Sequence, residues 1–431
     1  MILRFKRFTR IQVLKRIGRE LLERFLRAFE PELRAQGVAL PGSAFDDAAY
    51  FLALGRLLAT PEQLPDRLNE ALFAIDEMSS PEGQEQLELG LARSGLPLTY
   101  APGSSREDMA LQVWLADPAL LARLHNQHRL RRLTTFEYFG TNLPAAARPP
   151  FSSPPQTKLK VLAASLDPWF ARHQRGHNTT RIELCRLGPQ DSNGTSDKSW
   201  ADSTTDPHEL DHTSSSPQEL EADSEFCFLV RHGDSFARTP KVEAQETEIL
   251  HFRPERDDVI IYSPRHDEVR INARTKGERD LYVRMFGLHL RGREEYFSSR
   301  RTYTLEPLRL TGLEALEPAD GCDIERIVLR ELEIAWEDPL LGRTIRAADD
   351  LFANPAEAGA ALAQVMPGSG RLARAAFDIH FHHSHRPRPV QIRLPNVLKV
   401  GRHCDAQSVD RWLCRRGFRL RRSRESENGT A

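Results

Sequence analysis

The sequence has no apolar run near the ~18 residues that a membrane-crossing helix needs, so a span is not expected. Cysteine is scarce: Cys185, Cys227, Cys322, Cys404 and Cys414 are odd in number and scattered, with no C-x-x-C pair. That pattern excludes a disulfide framework and a thiolate zinc site, and it suits a reducing cytoplasm. The N-terminus is basic, but charges interrupt its apolar residues every few positions, so it lacks the continuous apolar core of a secretion signal. In a cytoplasmic protein the sequons at Asn178-Thr179-Thr180 and Asn193-Gly194-Thr195 are chance matches. Net charge is also nearly absent, at -1, so any attraction to a polyanion must come from local patches. No pattern in the chain implies a cofactor.

What is present is 40% apolar residues over 431 positions, enough for two or three cores. Residues 1–142 read as short antiparallel helices. Ile11, Leu14, Ile17, Leu21, Leu22, Phe25 and Phe29 recur at helical period behind a Thr9/Gln12 capping-box spacing. Thr60-Pro61, Ser80-Pro81 and Ser104-x-x-Glu107 mark further starts, and Gly95 marks a stop. Residues 143–156 hold five prolines and read as a linker. Residues 157–431 read as an α+β domain with a mixed, mainly antiparallel sheet, interrupted at 188–224 by a Ser/Thr/Asp/Pro-rich stretch expected to be a disordered insertion. Strands are expected at ten places from 225 to 400, including 302–310, 324–336 and 343–347, and helices near 278–290, 348–365 and 405–416. Asp258 to Leu290 and Ala375 to Phe418 share a hairpin-then-helix layout, which reads as a weak internal repeat.

Several constellations could carry chemistry, and each has a plain alternative. The strand-end hexapeptide Leu229-Val230-Arg231-His232-Gly233-Asp234 resembles the R-H-G box of the histidine phosphatase superfamily. That resemblance implies a phosphohydrolase in which His232 accepts the phosphoryl group and Arg231 grips its oxygens. It spans about six residues, and no later histidine-glycine pair on a strand supplies the second catalytic histidine. The plain alternative is a polar strand end.

Asp378, His380 and His382 alternate with Phe377, Ile379 and Phe381, so they share one strand face and could ligate a metal, with His383 and His385 nearby. A solvated hairpin explains the same residues. Asp257 or Asp258, followed by Glu268-Val269-Arg270, resembles the metal-binding core of restriction nucleases, with arginine in place of the usual lysine. Surface charges on a hairpin are the alternative. Cys404 and Cys414 flank the last helix, but a reactive thiol would need a cationic pocket.

Two basic segments could meet nucleic acid, and the N-terminal one, a basic amphipathic helix, could also lie on a membrane surface. Near the C-terminus Arg402, Arg411, Arg415, Arg416, Arg419 and Arg421 surround the apolar stripe of the last helix. The first helical region carries nine basic residues up to Arg27 against Glu20 and Glu23 alone. Solvated faces would account for both. The passage from Leu394 to Phe418 resembles the C-terminal ends of bacterial proteins and brings no activity with it. The expectation is a cytoplasmic binding or adaptor protein whose partner is nucleic acid or another protein, the rivals being a phosphohydrolase and a structural subunit of a complex.

Overall fold

The computed structural model describes residues 7–42, 45–96, 104–187, 225–243, 246–319, 321–336, 342–353, 370–382, 384, 386–400 and 405–420. The expected insertion at 188–224, most of the expected helix at 348–365, and His383, His385, Cys404, Arg402 and Arg421 lie outside them. The chain divides into two compact units, with the first break between Arg132 and Leu133. The class is α+β, with helices concentrated towards the N-terminus and a large antiparallel sheet in the C-terminal part.

The first unit contains α1 (Ile11–Leu14), α2 (Arg19–Arg27), α3 (Glu30–Ala35), α4 (Asp47–Leu58), α5 (Asp66–Met78), α6 (Pro81–Ser94), α7 (Arg106–Ala116) and α8 (Pro118–Arg131). The caps follow local chemistry. Ser80 accepts from the Gly83 amide with Pro81 in the first turn of α6, and Gly95 closes that helix at φ 64°. Ser105 and Asp108 form the capping box of α7, one residue beyond the expected Ser104/Glu107 pair. The single long first helix is broken: its apolar positions are buried as expected, yet the chain turns after Leu14 and resumes after Gly18. Phe8, Leu14, Ile17, Leu22, Phe25, Phe29, Leu54, Leu68 and Ile75 are among the fully buried members of one core.

The second unit is a ten-stranded sheet in the order β2-β3-β6-β7-β1-β12-β11-β10-β8-β9, all neighbours antiparallel. Its strands are β1 (Thr135–Gly140), β2 (Arg181–Leu187), β3 (Glu225–Gly233), β6 (Glu255–Ser263), β7 (Glu268–Asn272), β8 (Ile324–Trp336), β9 (Arg343–Ala347), β10 (Gly370–Phe381), β11 (Arg388–Arg393) and β12 (Val397–Val400). A separate hairpin, β4 (Ala237–Glu243) with β5 (Glu246–Phe252), is inserted between β3 and β6. The helices are α9 (Gln156–Arg172), α10 (Lys276–Arg291), α11 (Glu306–Leu310) and α12 (Ala406–Arg415).

Three departures from the sequence reading have local causes. Thr135–Gly140, taken there as the end of the helical region, is a strand joining β7 to β12, because Phe136, Tyr138 and Phe139 alternate onto two buried faces. In the proline-rich stretch Phe151 packs on Phe226 and Tyr262, with ring centroids 4.7 and 4.4 Å away. Residues 302–310 are a β-bridge at Tyr303 followed by α11, since Pro307 sits in the first turn of a helix.

The repeated hairpin-helix layout is present, with an extra strand, β12, in the second copy. The two helices cover opposite faces of the sheet. Register pairs Ile271 with Glu137, Glu137 with Val397, Val397 with Arg393 and Arg393 with Arg374, so these five share one face. On it α10 packs through Leu281, Tyr282 and Phe286. Phe377 projects from the other face, where Trp412 of α12 meets it at 5.3 Å.

Candidate functional site

His232 lies on the α10 side of β3, in line with Phe228 and Val230, and its side chain is 0% exposed. Nε2 is 3.0 Å from Asp258 Oδ2, Nδ1 is 2.8 Å from the Gly233 carbonyl, and the ring stacks on Phe170 at 4.1 Å. Both ring nitrogens are therefore engaged inside the core, and neither is open to an approaching phosphorus. Arg231, the next residue along the strand, points to the opposite face, where it pairs with Glu183 at 3.0 Å and Asp257 at 3.4 Å. The structure does not bring the two members of the R-H-G box together. Gly233 also has a packing reason: a Cβ there would lie 2.3 Å from the Arg175 carbonyl oxygen and 2.4 Å from Arg253 Cδ.

Around His232 the fold assembles a buried ionic network. Tyr282 of α10 donates to Asp258 at 2.7 Å and Arg256 donates to its other oxygen at 3.1 Å. Glu278 completes the N-terminal capping box of α10 with Thr275, and its second oxygen lies 3.1 Å from Arg175 and 3.6 Å from Arg256. Burial, reinforced by the Asp258 charge, pushes the Tyr282 phenol well above its usual range, so it stays a neutral donor. His232, Asp258 and Glu278 are the one trio of histidine and carboxylate groups among the described residues whose donor atoms lie close enough, within 4.8 Å, to share a metal. The donor set does not suit one, because Arg175 and Arg256 already neutralise both carboxylates and would repel a dication. The Thr275-x-x-Glu278 spacing was legible as a helix start. Nothing in the sequence signals that the same carboxylate joins two arginines.

The nuclease-like pattern is also taken apart. Asp258 belongs to the network above, Glu268 pairs with Arg419, and Arg270 pairs with Glu225. The histidine strand behaves similarly. Asp378 is held by Arg330 at 3.3 Å, and His380 Nε2 lies 3.4 Å from the Arg326 guanidinium. His382 is exposed beyond them. The cations of β8 thus occupy the face on which Asp378, His380 and His382 would have met a metal.

No family model, curated protein or solved structure matches this chain. The chemistry must therefore be read from this chain's own geometry.

Of the C-terminal arginines, Arg419 is buried and pairs with both Glu268 and Asp410. Arg416 binds the Glu317 carboxylate at 3.2 Å and the Pro318 carbonyl at 3.1 Å, and Arg411 donates to the Gly321 carbonyl. Arg411 and Arg415 are exposed without an ion pair among the described residues, and of the two only Arg415 also lacks a backbone partner. The cluster clasps α12 and the strands below it, and it offers little free charge to a phosphate backbone. Cys414 has no thiolate character: burial, with Asp410 beside it, pushes its thiol up to about 11.

The first two helices differ. Arg10, Lys15, Arg16, Arg24 and Arg27 are exposed and make no ion pair among the described residues. Arg7 is tied to Asp76 and Glu107, and Arg19 to Glu23 and Asp47. Leu22, Phe25 and Leu26 face the core, so Arg24 and Arg27, one turn apart on α2, face outward.

Proposed function

We propose that the protein is a non-catalytic binding or adaptor protein whose helical unit holds nucleic acid through the surface of α1 and α2. One observation carries the reading: five cations, Arg10, Lys15, Arg16, Arg24 and Arg27, stand exposed within eighteen positions with no acidic partner among the described residues. Guanidinium and ammonium groups so placed displace counterions from a phosphate backbone and need no base-specific contact. Of the groups considered for catalysis or metal binding, Arg231, His232, Asp378 and His380 already have partners of their own, while His382 stands exposed. The test is fluorescence anisotropy of the full chain with labelled single- and double-stranded DNA and RNA across a salt series. Binding that weakens steeply with salt, and is reduced severalfold by Arg24→Gln with Arg27→Gln, is the expected outcome. Equal affinity for the double variant and the parent would overturn the reading.

A second reading is favoured by the β4–β5 hairpin. Every residue of β5 is exposed, and Phe236 (61%), Val242 (74%) and Phe252 (45%) present large apolar side chains to solvent. A protein partner is the natural occupant of such an arm. Co-purification that is lost when the hairpin is removed would favour this reading over the first.

A further inference from the structure

Where α6 and α7 begin, the first unit encloses a cleft of about 400 Å³. Its walls come from four parts of the chain: Arg7 before α1, Arg16 between α1 and α2, Ser79 and Gln84 at the junction of α5 and α6, and Ser104 to Glu107 at the start of α7. We propose that this cleft binds a phosphate group, and that its source is the strand held by α1 and α2; the choice of source rests on the nucleic-acid reading above.

The charges divide by role. Arg7 is spoken for, shared between Asp76 at 3.3 Å and the buried Glu107 at 3.8 Å, so the one carboxylate in the wall is only partly compensated and the remaining negative charge is left to Arg16 and Arg106. Ser105 is likewise engaged, closing the capping box with Asp108. Arg106 donates through Nε to Gln84 Oε1 at 2.9 Å, which fixes the plane of its guanidinium and leaves both terminal NH2 groups without a hydrogen bond among the described residues. Arg16 makes no ion pair among the described residues. Two guanidinium groups with unused donors and the Ser104 hydroxyl thus face one cavity, with the starts of two helices of fourteen and eleven residues beside it. A tetrahedral oxyanion matches this set, since planar guanidinium forks bind paired phosphate oxygens and helix starts favour negative charge. A bare metal ion does not match it, because the unengaged groups are all cationic or hydroxyl.

The experiment has two arms on the full-length protein. In the first, inorganic phosphate is titrated against chloride at constant ionic strength while the melting temperature is followed. Saturable stabilisation is expected for the parent and for Arg27→Gln, with roughly tenfold weaker apparent affinity in Arg16→Gln and in Arg106→Gln. Both arginines are exposed, and Arg27→Gln controls for the general loss of a surface charge. No stabilisation beyond chloride, or undiminished stabilisation in both variants, would overturn the site. In the second arm the same proteins meet a labelled oligonucleotide. If Arg27→Gln weakens binding and Arg106→Gln does not, the cleft proposal falls while the surface reading stands. If phosphate stabilises the protein through Arg16 and Arg106 but no oligonucleotide binds, the strand is excluded as the source and the surface reading falls with it.

Discussion

Arg419 illustrates how a residue's role changes between sequence and structure. In the sequence it is one of a row of arginines; in the fold it is 8% exposed, between Glu268 on β7 and Asp410 on α12, with Tyr138 and Tyr303 nearby. Burial alone would raise the Asp410 carboxyl, but the Arg419 charge and the His266 hydrogen bond outweigh it and hold the group well below the usual carboxylate range. Removing one partner of such a buried group leaves the others uncompensated, so Arg419→Met should destabilise the protein by about 3–5 kcal/mol in chemical denaturation. If the cluster were a nucleic-acid surface, the same substitution would reduce binding and leave stability unchanged. His128 on α8 gives a pH signature in the first unit. Burial, with Arg132 adding, lowers its pKa from the ordinary 6.5. A base lowered in the folded state contributes stability above its unfolded value, and that stability is lost as pH falls below 6.5 and through the folded value. Melting temperature should therefore drop between pH 7.5 and 5.5, and His128→Gln should flatten that part of the curve; an unchanged slope would exclude His128 as its origin.

The hairpin β4–β5 is the element most separable from the rest. It pairs only with itself among the described strands, while β3 and β6 continue to pair up to Gly233 and Glu255 at its base. Replacing Ala237–Phe252 with Asn-Gly, a two-residue turn suited to closing antiparallel neighbours, should shift the melting temperature by no more than a few degrees. A larger loss would mean that the arm packs on the unit that carries it. By contrast α10 is tied in at many points, with Tyr282, Glu278 and Phe286 all fully buried. How far elements could be read depended on burial symmetry. β8 and β9, expected at 324–336 and 343–347, are found at those bounds; β8 carries a run of buried apolar positions, whereas all five residues of β9 are exposed. Strand β1 escaped notice because it follows α8 directly and only Thr135 to Tyr138 alternate, a period-two run too short to stand out from the helical pattern before it.

On the scale of the whole molecule the near-zero net charge sets the terms for any nucleic-acid contact. With no global field, affinity must scale with the local cations that are free. Each phosphate neutralised on a single strand contributes a salt slope of about 0.7, so Arg10, Lys15, Arg16, Arg24 and Arg27 together should give a log-log slope of roughly -3.5. A slope near zero would exclude the surface, and one several times steeper would require basic residues beyond the first unit. Among the described residues no helix is long and apolar enough to cross a membrane.

The sequence alone determined the class: helical periodicity, caps such as Ser80-Pro81, and alternating strands with short turns are local signals, and the α+β arrangement follows from their order. It also determined that the first 27 residues carry an excess of positive charge, nine basic side chains against two acidic ones. Only the tertiary structure decided which charges are free. Arg231 and His232 are neighbours in the chain, yet the pleat sends them to opposite faces. Arg419 and Glu268 are 151 residues apart and pair in the core. Ion pairing over such separations depends on register and packing across the whole sheet, which no local pattern encodes.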